Sequence, residues 1–130
     1  MILLDTHVVI WLTDDVTRIS KKAEAAIVRA RQDGDGLAIS AVTLLELAML
    51  FSNGRIQLKI SLESFMNNVE ARFLVLPITG RICVQAFDLP TNYPKDLVDR
   101  VTGATGMVGG LSLVTADRAI RNARALTTIW

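Results

Sequence analysis

Short apolar runs alternate along this chain with longer segments in which apolar positions recur every three or four residues. Four unbroken apolar residues, Met1-Ile2-Leu3-Leu4, open it and lead into Asp5. A run without polar alternation marks a strand buried on both faces. Leu37-Ala38-Ile39, Leu74 to Ile78 and Leu111 to Thr115 repeat the pattern, and Thr127 to Trp130 reads as a last short strand. Pro77 ends the third run or places it near an edge, because it cannot donate to a ladder. Helical periodicity fills the intervals: 6–12, 20–31, 40–51, 61–72, 79–86, 95–109 and 118–124. Ser20 and Ser61 are expected N-caps, Ala23, Ala26, Ile27 and Ala30 form one inner stripe, and Asn53-Gly54 stops the third helix. Short strands alternating with helices predict an α/β fold, a parallel sheet with helices on both faces.

Composition narrows the picture. The 130 residues are enough for one good core, so one domain spanning 1–130 is expected. Cys83 is the only cysteine and His7 the only histidine, which excludes an internal disulfide, a cysteine-cluster zinc site and a multi-histidine metal centre. A lone cysteine fits a reducing cytoplasm. The start has no basic n-region or small-residue cleavage site, and no long uncharged apolar run is present, so neither a signal peptide nor a membrane span is expected. The net charge of +1 does not by itself point to a polyanion.

Acids at strand ends carry the candidate chemistry. In open α/β sheets ligands gather outside the carboxyl ends of the strands, which is where Asp5 follows the first run. Capping the next helix is its structural alternative. Glu46 is the only charged residue between Asp35 and Arg55, in a helix apolar on nearly every face. Left unpaired and ionised there it would cost several kcal/mol, roughly, so it needs an arginine partner, a metal ion or a proton. Asp99 lies in Leu97-Val98-Asp99-Arg100, and Asp117 follows Leu113-Val114-Thr115-Ala116. A first-turn helix acid and an N-cap are their respective alternatives. Convergent carboxylates without histidine or cysteine are hard oxygen ligands suited to Mg²⁺ or Mn²⁺, ions that keep several waters and take further ligands from phosphates. That combination points to phosphodiester chemistry.

The chain as a whole resembles the PIN-domain ribonucleases, and more narrowly the VapC-type toxins of bacterial toxin-antitoxin pairs. The resemblance is carried by Leu3-Leu4-Asp5-Thr6-His7, Ser40 to Glu46, Leu76-Pro77-Ile78-Thr79, Tyr93 to Arg100 and Leu113 to Arg118, in family order over almost the whole length. It implies a three-layer α/β/α sandwich with a central, mostly parallel sheet. It also implies Mg²⁺- or Mn²⁺-dependent cleavage of RNA, a cognate antitoxin as partner, a homodimer and a cytoplasmic location. The family's metal and catalytic acids fall on Asp5, Glu46, Asp99 and Asp117. The closest subgroup reads His-Arg-Asp-Pro-Phe-Asp-Arg where this chain has Tyr93-Pro94-Lys95-Asp96-Leu97-Val98-Asp99-Arg100, so the His-Arg pair and the intervening proline are missing while both acids and the final arginine are kept. Residues 103–110 are glycine-rich where the family is alanine-rich. At about 1 kcal/mol per glycine in a helix, this segment is expected to be frayed or pressed unusually close to the sheet.

The neighbours of these acids have bland roles available as well. Asp96 is expected to start a helix or to assist as an outer ligand, and Thr6 and Thr115 to cap or to bond the acids. Lys95, Arg100 and Arg118 are placed to meet RNA phosphates, whereas Arg121 and Arg124 belong to the outer face of the last helix. Trp11, Phe51 and Trp130 are expected in packing, since so few aromatics disfavour stacking-led RNA recognition. Two rivals remain. A phosphotransfer domain would also place Asp5 after the first strand, but it needs a second acid close by and a later lysine. A catalytically degenerate PIN domain would only bind a partner.

Overall fold

A computed structural model describes residues 1–130. The chain runs β1 (Ile2–Leu4), α1 (Thr6–Asp14), α2 (Lys21–Gln32), β2 (Leu37–Ser40), α3 (Ala41–Ser52), α4 (Leu62–Arg72), β3 (Leu74–Leu76), α5 (Gly80–Ala86), α6 (Leu97–Gly109), β4 (Leu113–Val114), α7 (Arg118–Ala123) and β5 (Thr128–Ile129). Each expected element is present. A 3-10 turn at Val16–Arg18, capped by Asp15, is additional. Its Asp15 carboxylate holds both the amide and the hydroxyl of Thr17, a local competition that hydrophobic spacing cannot register.

Five strands pair in the order β3-β2-β1-β4-β5, every pair parallel. Alternation along the strands sorts the core into two faces. Leu4, Leu37, Ile39 and Val114 face Val8 and Val9 of α1, Ala23 and Ile27 of α2, Leu47 of α3, and Phe65 and Val69 of α4. Leu3, Ala38 and Leu113 face the opposite way, onto Leu89, Tyr93 and Ile120. Helix α5 lies against α6 through Ile82, Ala86, Val101 and Ala104. The result is the three-layer α/β/α sandwich. Each fully buried leucine or isoleucine contributes about 1.5–3 kcal/mol to holding it. Edge strand β3, with Leu74 half exposed, ends at Pro77 as the missing donor requires.

From β1 the chain builds outward through β2 to β3, then returns to lay β4 on the other side of β1. The β1/β4 boundary is therefore the point where strand order reverses, and the crevice outside the carboxyl ends of the strands opens there. Helix α6 stays regular despite its glycines because they permit close contact. A Cβ on Gly106 would lie 2.7 Å from Leu126 Cδ1 and 3.3 Å from the Leu111 carbonyl oxygen. Of the two expectations for this segment, close packing is the outcome. No helix is long and apolar enough to cross a membrane.

Candidate functional site

Strand β1 ends in Asp5, which is 3% exposed. Its Oδ1 accepts from the Thr6 amide at 2.9 Å, making it the N-cap of α1. Its Oδ2 accepts from the Thr115 hydroxyl at 2.7 Å, and Thr115 Oγ1 in turn accepts from the Asp117 amide at 3.1 Å. His7 adds a second tie between the two strand ends. Its Nε2 accepts from the Ala116 amide at 3.0 Å, which places the ring proton on Nδ1, 3.5 Å from Asp5 Oδ2. Thus the carboxylate at the end of β1 and the turn after β4 are held as one unit.

Asp5, Thr6, His7, Ile10, Glu46, Leu50, Asp96 and Asp99 line an open pocket of about 310 Å³ beside this unit. Helix α3, capped by the buried Ser40 at the end of β2, presents Glu46 to it. Helix α6 presents Asp99 from its first turn, and Asp96 caps that helix by accepting from the Asp99 amide at 3.0 Å. Asp117 is not among the lining residues. Its Oδ1 caps α7, accepting from the Ile120 amide at 3.0 Å. For Asp5, Asp96 and Asp117, capping is therefore fulfilled in every case, and it does not remove them from the acid edge.

Glu46 has no arginine partner. The one ion pair within 4.0 Å joins the amino terminus to Asp35, and the His7 Nδ1–H faces Asp5, not Glu46. Partial burial raises the Glu46 pKa, against the Thr6 hydrogen bond that lowers it, and Asp5 and Asp96 raise it further. Asp99 is pushed up to about 7, first by burial and then by Asp5, Asp96, Asp117 and Glu46. Such mutual repulsion is what a cation would relieve. No three histidine, cysteine or acidic side chains, as placed, converge into a cage around one point. An all-oxygen edge of this kind fits a hydrated Mg²⁺ or Mn²⁺ held through few direct carboxylates, and does not fit a fully protein-ligated ion.

The surrounding basic residues divide. Lys95 and Arg118 are exposed, next in the chain to Asp96 and Asp117. Arg100 instead donates from Nη1 to the Ala86 carbonyl at the end of α5, at 3.1 Å. Arg121 is not simply on the outer face of α7: its Nη2 donates to the Ala116 carbonyl at 3.3 Å, so it braces the same turn that His7 holds. Trp11 and Trp130 pack against the first core and flank His7, with ring centroids 4.8 and 6.5 Å away, and the Arg18 guanidinium lies 4.4 Å above the Trp11 ring.

Tyr93 was the residue that spacing could not single out. Although it follows a polar loop, it is 1% exposed, and its hydroxyl donates to the Asp99 backbone carbonyl at 2.9 Å. Burial first, then Asp5, Asp99 and Asp117, raise its pKa well above the usual phenol value, so it remains a donor. The one prior signal was the change of residues around Tyr93 relative to the subgroup pattern.

A parallel sheet in this strand order, with an acidic edge at its reversal point, defines the class. The chain belongs to the PIN domain family, whose pattern matches residues 2–126. It is 36% identical over 131 aligned positions to ribonuclease VapC22 of Mycobacterium tuberculosis, covering 99% of this chain and 98% of that one. Among solved structures it is similar to VapBC2 from Rickettsia felis bound to a promoter DNA fragment, with a TM-score of 0.73 and 15% identity over 98% of this chain and 97% of the other. DNA-bound VapBC from Salmonella typhimurium gives a TM-score of 0.70 at 19% identity, again over 98% and 97% of the two chains. At those identities the likeness is one of fold.

Proposed function

We propose that this chain is a divalent-cation-dependent endoribonuclease and the toxin of a toxin-antitoxin pair. The observation that carries the reading is the pocket where Asp5, Glu46 and Asp99 face a common space with no lysine or arginine paired to Glu46. Near-full-length similarity to a protein named as a VapC ribonuclease supports RNA as the substrate. In this reading Asp5, Glu46 and Asp99 hold Mg²⁺ or Mn²⁺, with Asp117 adding its charge from the neighbouring turn. When bound, such an ion acidifies water and offsets the negative charge that builds on a phosphodiester under attack.

The chain's own residues supply orientation. Thr115 and His7 fix the Asp5 carboxylate, and Thr115 holds the amide of Asp117 at the same time. Exposed Lys95 and Arg118, adjacent in the chain to Asp96 and Asp117, supply positive charge for RNA phosphates. His7 is not needed as a general base, since its acceptor nitrogen is already engaged by the Ala116 amide.

Two partner surfaces follow from the same reading. A cavity of about 320 Å³ whose apolar lining is Val9, Ile10, Leu47, Ile56, Leu58 and Phe65, with Asp14, Arg55 and Gln57 also on its wall, shares Ile10 with the acid pocket. An apolar segment of the antitoxin seated there would lie against the acid edge and exclude RNA. Leu45 and Met49 on α3, together with Val84 on α5 and Phe87 just beyond it, are exposed apolar side chains suited to a second copy of the chain.

RNA cleavage with Mg²⁺ and with EDTA, by wild type, Asp5→Asn and Glu46→Gln, tests the proposal. Loss of cleavage in both variants is expected, and retained cleavage in both would refute it. One rival, a PIN domain that binds a partner without catalysis, rests on the segment Tyr93 to Arg100, which departs from the subgroup pattern. A wild type that binds no Mn²⁺ even with an RNA oligonucleotide present would favour that rival.

A further inference from the structure

Tyr93 stands between the sheet and the helix that carries Asp99. Its ring packs with Leu3 of β1, Leu113 of β4 and Ile120 of α7. Those two strands deliver Asp5 and, through the following turn, Asp117. Its hydroxyl reaches out of that core to the Asp99 carbonyl, in the first turn of α6. By helical register the same carbonyl is the acceptor for the Gly103 amide, one turn further on. The tyrosine can approach only because position 103 has no side chain: a Cβ there would overlap Tyr93 Oη and lie 2.7 Å from Cζ. A buried tyrosine hydroxyl must find a partner, and here the partner is the backbone of a pocket acid itself.

We propose that Tyr93 and Gly103 are a matched pair of positioning residues that set α6 against the sheet, and so place the Asp99 carboxylate opposite Asp5 and Glu46 for a divalent cation. The inference rests on the metal-site reading above and deepens it. Neither residue touches the ion or the RNA. The pair acts through the backbone of Asp99, by a contact that joins the two halves of the acid edge. It also accounts for a glycine in mid-helix, where alanine would otherwise be the better helix former.

The test compares wild type, Asp99→Ala, Tyr93→Phe, Gly103→Ala and the double variant Tyr93→Leu/Gly103→Ala. Mn²⁺ affinity is measured by calorimetry and metal-free stability by thermal unfolding. Tyr93→Phe should stay folded yet bind Mn²⁺ about tenfold more weakly, the scale of losing an outer-shell support. Gly103→Ala should lose both stability and affinity. The double variant refills the space with a smaller side chain, so its metal-free Tm should recover toward wild type while Mn²⁺ binding stays about tenfold weaker. Affinity that recovers together with Tm, or Tyr93→Phe binding as tightly as wild type, would show that the pair merely packs, and would overturn the inference alone. A wild type that binds no Mn²⁺, indistinguishable from Asp99→Ala, would overturn the metal-site reading and the inference with it.

Discussion

Thr115 and Asp5, separated by 110 positions in the chain, share a 2.7 Å hydrogen bond in which the threonine hydroxyl donates to the carboxylate. Both are buried, and the same hydroxyl accepts from the Asp117 amide. Parallel pairing of β1 with β4 makes this possible by setting Leu4 beside Val114, so the residues just past each strand end meet. Removing the hydroxyl leaves a buried carboxylate short of a donor. Thr115→Val should therefore lose about 1.5–3 kcal/mol of stability, the scale for a hydrogen bond to a charged group. RNA cleavage should fall about tenfold or more through misorientation of Asp5. Thr115→Ser, which keeps the hydroxyl, should retain most of both. Urea unfolding and a cleavage assay on the two variants check this.

Metal-free protein should be more stable in mild acid than at neutral pH. The folded-state pKa of Asp99 is raised from 3.8 to about 7, so within that window the folded chain keeps a proton that the unfolded chain has released. Stability then falls as pH rises through the window, and Glu46, raised in the same direction, adds to the slope. A bound divalent cation favours the ionised carboxylates and should flatten or reverse it. Unfolding midpoints in EDTA and in Mg²⁺, from about pH 5 to about pH 8, give the comparison. A midpoint in EDTA that rises across the range would contradict the arrangement described.

Glu46→Gln should separate stability from activity. Glutamine keeps the shape and hydrogen-bonding capacity while removing a partly buried charge that has no cationic partner. At neutral pH the metal-free variant should unfold at the same temperature as wild type or higher, while cleavage is lost. A variant that is both less stable and still active would mean that Glu46 is held for packing.

Self-association should depend on α5 and the residue that follows it. Val84 and Phe87 are 72% and 78% exposed, the two most exposed large apolar side chains of the protein, three positions apart at the end of α5. Phe87→Asp should shift the chain to monomer in light scattering without lowering the folding stability of the chain itself by more than about 0.5 kcal/mol, since an exposed side chain contributes little to folding. An unchanged molar mass would rule this face out as a self-association surface.

Much of the fold is legible in the sequence. Unbroken apolar runs located the strands because a parallel sheet covered on both faces needs no polar alternation. Isolation of Glu46 in an apolar helix marked it as a charge in need of compensation, and no arginine turns out to pair with it. Tyr93 escaped because its importance lies in a tertiary reach, from a loop to the carbonyl of a residue six positions on, and residue type in a loop does not encode that direction. Arg100 and Arg121 escaped for a similar reason. Sequence gives a guanidinium's charge, whereas only packing reveals that each is turned back onto a main-chain carbonyl. The competing readings of Asp5, Asp96 and Asp117 as caps or as acids of the site could not be separated, since the structure lets each begin a helix at the same edge.

That double duty shapes how activity can be lost. Asparagine begins a helix about as well as aspartate but carries no charge, whereas alanine does neither. At Asp5, Asp96 and Asp117 an Asn replacement removes the charge from the edge and leaves the instructions for chain folding in place, while Ala erases both. Spontaneous inactive forms that still accumulate as intact protein should therefore be rich in asparagine at these positions, and those carrying alanine should be found mostly among the degraded ones. The start signals of three helices thus decide which inactive forms persist.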